Sequence, residues 1–373
     1  MLMSQRLTTH LLEFLNNQSV TGVLTDRMRR YFTSAAKAVG GKPLLIELAL
    51  TSPSYREELL QDPRALDQPS VVDDLRDLQA KAVDHADHAV IDPIVNRLKM
   101  LSDSTLLANV FLSDDKRDQD GRLLLDFRRF ADNPEGGYGY CVVIVTSNDP
   151  AYGGAKGQEL ICSTLQAKIF LAAYSRADID QSKRKPFLSI VDEPHRFIRG
   201  GAAKRLYSDA AVELRKYRCR NVMLAHSPTQ LGEVWDVFAA GGAQVIAYKT
   251  ERTDDYAKLA PQLSPYSPDY VYQHLADRGE AICKLRLPSG KVGSAFFCEA
   301  AMPPKPVKDR QVVRDACAAR FGHPWKEAKR NIDDLRLRYQ RLDEAWYEIA
   351  KASKANAKRT VPDDMPSPVW DDE

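Results

Sequence analysis

Two carboxylates stand side by side in "FLSIVDEPHRFI", residues 187–198, where Asp192 and Glu193 follow five mostly apolar residues and precede Pro194, His195 and Arg196. Neighbouring side chains of an extended backbone point to opposite sides. One acid can therefore face the magnesium of a bound nucleotide while the other polarises the water that attacks the terminal phosphate. A mostly apolar strand ending in Asp-Glu is the Walker B arrangement of that chemistry. The same residues also suit an ordinary helix start, with Pro194 at the first helical position and Glu193 as its cap. Downstream, "ELRKYRCRNVMLAHSPTQLGEV" (213–234) supplies a basic helix end, a second apolar strand and a polar tip carrying His226 and Gln230.

Strands must position these groups. The short apolar run at 140–147 ("YCVVIVTS") reads as a strand buried on both faces, and 187–191, 221–225 and 244–249 read as further strands. Helical patterns alternate with them, in "QELICSTLQAKIFLAAYSRA" (158–177) and near 202–217 and 229–239. Strand–helix alternation of this kind predicts parallel crossover units and a doubly wound α/β layer. "EAICKLRL" (280–287) and "KVGSAFF" (291–297), joined by Pro288-Ser289-Gly290, read as an antiparallel hairpin at its edge. Ligands of open parallel sheets bind at the carboxyl ends of the strands, which here present Asp192 with Glu193, His226 and Lys249.

Around that core the composition changes twice. From Leu7 to about Asp114 apolar residues recur at helical spacing, so 1–118 is expected to be an all-helical segment before an α/β core at 119–302. Residues 303–360 carry 15 Lys and Arg against 8 Asp and Glu, in an Ala-rich helical pattern. They read either as a solvated helical hairpin on the core or as a nucleic-acid or partner surface. The acidic, Pro-rich 361–373 is expected to be disordered.

The chain has 373 residues, 44% of them apolar, and a formal charge of +2, so overall charge makes no case for nucleic-acid binding and any basic surface is local. Six cysteines show neither a C-x-x-C pair nor zinc-finger spacing, and read as reduced, mostly core thiols. No secretory leader is evident and no stretch reaches ~18 apolar residues, so a cytoplasmic location is expected, peripheral at a membrane only through partners.

Taken in order, "LLLDFRRF", "YCVVIVTSN", "FLSIVDEPHRFI", "ELRKYRCRNVMLAHSPTQL" and "QVIAYKTERTDDYAKL" resemble the second half of the ATPase domain of the HerA/FtsK superfamily. The likeness is greatest to type IV secretion and conjugative DNA-transfer ATPases, and it spans roughly residues 85–325. It implies a RecA-like sheet, with "IDPIVNRLKMLSDSTLLANVFL" as part of the helical insertion that follows the P-loop in those proteins. It also implies ATP and Mg2+ as cofactors, DNA as partner, a hexamer, and a secretion complex at the membrane. Residue by residue, Asp192 becomes the second-shell magnesium residue and Glu193 the catalytic base. His226 stands where the family usually has a phosphate-sensing Gln, with Gln230 as fallback and a structural role for His226 as the alternative.

Arg215 matches a position from which an arginine reaches the neighbouring subunit's nucleotide site. Arg218 and Arg220 compete with it, and stabilisation of a helix C-terminus is the plainer reading. "RGGAAKR" (199–205) reads as a basic channel-facing loop, with Lys204 and Arg205 touching DNA phosphates, or as a plain surface loop.

One part is missing. The phosphate cradle G-x-x-x-x-G-K-[ST] occurs nowhere: Gly41-Lys42 and Gly290-Lys291 lack its earlier glycine, and "AYGGAKGQE" (151–159) has the wrong spacing. The expectation is therefore the C-terminal portion of a longer ATPase, inactive until an upstream polypeptide donates the P-loop. Its sheet should lack the central P-loop strand and have an open edge beside the sensor strand. A non-catalytic ATPase-like subunit of a secretion or DNA-processing complex, or part of a DNA-packaging motor, is the alternative.

Overall fold

The computed structural model describes residues 24–99, 101, 105–112, 116–134, 136, 142, 144, 146, 154–198, 201–276, 279–287, 289–301, 304, 305, 307, 309–322 and 324–359. The expected helix before residue 24, most of the expected strand at 140–147 and the acidic tail 361–373 lie outside them. The chain is mixed α/β and forms two compact units, one from Met1–Asp114 with Pro324–Glu373, the other from Asp115–His323.

The first unit is helical. Prolines open the helices Pro43–Thr51, Pro53–Gln61 and Pro69–Ala82, where a missing N–H costs nothing. Thr25 and Ser52 cap their helices by accepting from the backbone of Met28 and Tyr55. Tyr31, Phe32, Ile46, Leu75, Leu78 and Ile94 form its core, and Arg56 is buried with its guanidinium on the Leu50 carbonyl (2.7 Å) and Gln79 Oε1 (2.9 Å). The 35-residue helix Trp325–Arg359 belongs to this unit. Its Tyr339 is buried edge-on against Tyr55 (4.9 Å) and donates to Glu58 Oε2 (2.7 Å), while Ser52 Oγ donates to Asp343 Oδ1 (2.8 Å). The segment 303–360, expected as one tail, is thus shared: the helix Arg310–Phe321 falls in the second unit.

The second unit holds the strands. β1 (Phe187–Asp192) and β2 (Cys219–Leu224) pair in parallel, from Phe187 opposite Cys219 to Asp192 opposite Leu224, across the helix Gly201–Glu213. β3 (Val245–Tyr248), β4 (Glu280–Lys284) and β5 (Phe296–Glu299) make a separate antiparallel sheet in that order. The expected hairpin is present, with Gly290 at φ 83 in its turn, although β5 begins at Phe296 rather than Lys291.

β3 takes its backbone partners from β4, whose Ala281, Ile282 and Cys283 are buried, and among the described residues it shares no ladder with β2. Among the described residues the parallel part is therefore two strands, and the expected strand at 140–147 lies mostly outside them. One face of β1 and β2 is packed and the other exposed. Phe187, Val191 and Met223 pack on Phe170, Tyr207, Ala210 and Leu214 from the flanking helices, whereas Leu188, Ile190, Val222 and Leu224, on the other face, are 37–61% exposed.

Candidate functional site

Asp192 closes the β1 ladder opposite Leu224, with its side chain on the exposed face. Glu193 leaves the strand. Its N–H still donates to the Leu224 carbonyl (2.9 Å), but its backbone turns left-handed at φ 50, ψ 51. A residue with a Cβ pays on the order of 1 kcal/mol for that conformation. Pro194 and the turn behind it hold it there. Arg196 N–H donates to the Glu193 carbonyl (3.0 Å), the amides of Phe197 and Ile198 donate to Pro194 (3.1 and 2.9 Å), and Pro194, Phe197 and Ile198 are buried.

The turn aims the Glu193 carboxylate across the tip of β2. Oε1 lies 3.0 Å from His226 Nε2 and Oε2 2.5 Å from Arg196 Nε. The His226 bond pulls the carboxyl below its ordinary range, partial burial opposes this, and the Arg196 charge adds to it. With Glu193 ionised and accepting, His226 Nε2 is the donor of this bond. Glu193 stands at the cap position of the three-residue 3-10 turn Pro194–Arg196, with Pro194 at its first position, but its side chain makes no cap bond.

His226 is positioned from behind. Its N–H donates to Gln230 Oε1 (3.1 Å), so the fallback sensor is engaged with backbone. Ser227 caps the short helix Pro228–Leu231 and donates to Asp255 Oδ1 (2.5 Å). Asp255 is buried and also accepts from Thr229 Oγ1 (3.4 Å) and Thr250 Oγ1 (3.2 Å), tying the tip of β2 to that of β3. Sequence reasoning missed both Arg196 and Asp255. The only local signal for Asp255 was its place in the first turn of the helix Thr253–Leu263, where acids are favoured.

The other expected site residues lie elsewhere. Arg215 sits, exposed, in the 3-10 turn Leu214–Tyr217 before β2, at the opposite end of strands that span ~20 Å at ~3.3 Å per residue. Arg218 has φ 54 and offers its carbonyl to the Phe187 N–H (2.9 Å), while Arg220 lies exposed across from Leu188. Residues 199–200 are outside the described residues, but 201–205 form the first turns of the helix Gly201–Glu213 rather than a loop. There Lys204 pairs with Glu233 (3.9 Å) and Arg205 is exposed. The Lys249 ammonium lies 5.9 Å from the centre of the Tyr272 ring.

Glu193, His226 and Gln230 are thus brought together beside Asp192, and Arg215 lies at the other end of the strands. No group of three or more His, Cys, Asp or Glu that could hold a metal occurs among the described residues. With no phosphate cradle in the sequence, the residues present do not make a complete Mg-ATP site. No family model, curated protein or solved structure matches the chain, so its function has to be read from this geometry and from the order of its motifs.

Proposed function

We propose that this chain is the Walker B-containing portion of a DNA-translocating ATPase of the type IV secretion and conjugation kind, its RecA-like core completed by a P-loop from another segment or chain. The observation that carries the reading is the placement of Glu193: at the carboxyl end of a parallel strand, in a strained turn, bonded to His226 at the tip of the neighbouring parallel strand. Site strain of this kind is maintained where geometry matters to function. A second feature supports it. Among the described residues β2 has a ladder partner on one side only, and its tip is tied through Asp255 to β3, which belongs to another sheet. A β2 edge without a ladder partner among the described residues supports a sensor strand that awaits its P-loop strand.

With a P-loop supplied, Glu193 would orient the attacking water, Asp192 would help hold the metal, and His226, bonded to Glu193, would sense the phosphate. Arg215, at the far end of the sheet, serves a neighbouring subunit of the hexamer, and Lys204 and Arg205 contact DNA. The test is phosphate release from ATP by the purified full chain, alone and with a P-loop protein recovered by co-purification. The chain alone should be inactive, and the mixture should show DNA-stimulated hydrolysis that Glu193→Gln lowers ~100-fold or more. Robust hydrolysis by the chain alone overturns the reading.

One observation favours a second reading, a non-catalytic subunit: His226 and Arg196 engage both Glu193 oxygens. Glu193-dependent activity in the mixture rules it out.

A further inference from the structure

β4 and β5 each carry one cysteine. The register sets Cys283 opposite Phe296 and Ala281 opposite Cys298, so the two thiols are diagonal neighbours on one face of the hairpin. Their sulfurs are 3.2 Å apart. Cys283 is buried, whereas Cys298 is half-buried and lines a cavity of about 390 Å3 with Tyr270, His274, Glu280, Phe297 and Glu299. No other two cysteines are in contact among the described residues.

We propose that Cys283 and Cys298 form a redox modification site that closes to a disulfide between β4 and β5 when a hydroperoxide enters this cavity. Burial, with the neighbouring thiol adding to it, pushes the Cys283 thiol up to about 11, so Cys298, with access to the cavity, is the sulfur that attacks first. The Cys298 thiolate takes one oxygen of the peroxide. The O–O bond breaks, and the departing alkoxide picks up the thiol's proton as an alcohol. Cys298 is then a sulfenic acid. The Cys283 sulfur attacks the Cys298 sulfur, the S–O bond breaks, and water leaves with the Cys283 proton. In sum, two thiols are oxidised to one disulfide and one hydroperoxide is reduced to an alcohol and water. The bond fastens β5, the edge strand, to β4, and a dithiol reverses it.

The experiment treats the reduced full chain with hydrogen peroxide, alkylates the remaining thiols and digests with trypsin. Cleavage at Lys284 and Lys291 puts the two cysteines on different peptides. The expected result is loss of two of the six thiols, a linked pair of peptides containing Cys283 and Cys298, and release of that pair by dithiothreitol. In Cys283→Ser, dimedone should trap a sulfenic acid at Cys298. An unchanged thiol count, a disulfide to any other cysteine, or sulfinic acid at Cys298 with Cys283 still reduced overturns the proposal. The wild-type peptide pair decides it even if the variant does not fold.

Discussion

At Glu193 the backbone and the side chain are governed by different parts of the chain. Pro194 and the buried Phe197 and Ile198 impose the left-handed turn locally, whereas the carboxylate is held by His226, 33 residues on. This is why "VDEPH" was legible as two carboxylates at a strand end and not as a bonded pair: the local pattern fits a cap equally well, and only the parallel pairing of β1 with β2 brings His226 within reach. Asp255 was illegible for the same reason, its Ser227 partner being 28 residues away.

The lowered pKa of Glu193 fixes a sign. A carboxyl whose folded value lies below its unfolded one contributes stability above the ordinary range, near ~4.3, and loses it as pH falls through the lower folded value. In side-chain carboxyl NMR, Glu193 should titrate below the exposed glutamates and move back toward them in His226→Ala. A Glu193 titration unchanged by that substitution would show that the bond is not formed.

At the scale of elements, period and composition located the strands at 187–192, 219–224 and 245–248 to within two residues, but not their partners. An apolar run records that a strand is suited to burial, not which edge lies beside it. The runs at β1 and β2 suit burial on both faces, and Leu188, Ile190, Val222 and Leu224 remain exposed on one. An uncovered apolar face beside an open strand edge favours self-association. The isolated chain should elute from size exclusion as oligomers that grow with concentration, and Ile190→Lys should shift it toward monomer. A wild-type chain that stays monomeric at high concentration would mean that this face needs no cover.

For the molecule as a whole, the two units divide the chain at 114/115 and again at 323/324, and the place of the helix Trp325–Arg359 in the first unit was hidden in the sequence. Its buried residues Ala328, Ile332 and Tyr339 are sparse in a strongly basic helix, and their spacing does not say which helices they meet. If this helix completes the first unit, Tyr339→Ala should destabilise that unit by about 3–4 kcal/mol in urea unfolding, while Tyr339→Phe, losing only the bond to Glu58, costs about 1 kcal/mol. Equal small effects would make it a surface tail.

The proposal that Asp192, Glu193 and His226 are half of a site, completed by a phosphate cradle from another polypeptide segment, also belongs to this scale. The direct measurement is the rate of phosphate release from ATP by the full chain alone, by the chain with its co-purifying P-loop protein, and by that mixture carrying Glu193→Gln. The account requires no hydrolysis, then hydrolysis, then a fall of ~100-fold or more. Hydrolysis by the chain alone, or a mixture indifferent to Glu193→Gln, contradicts it.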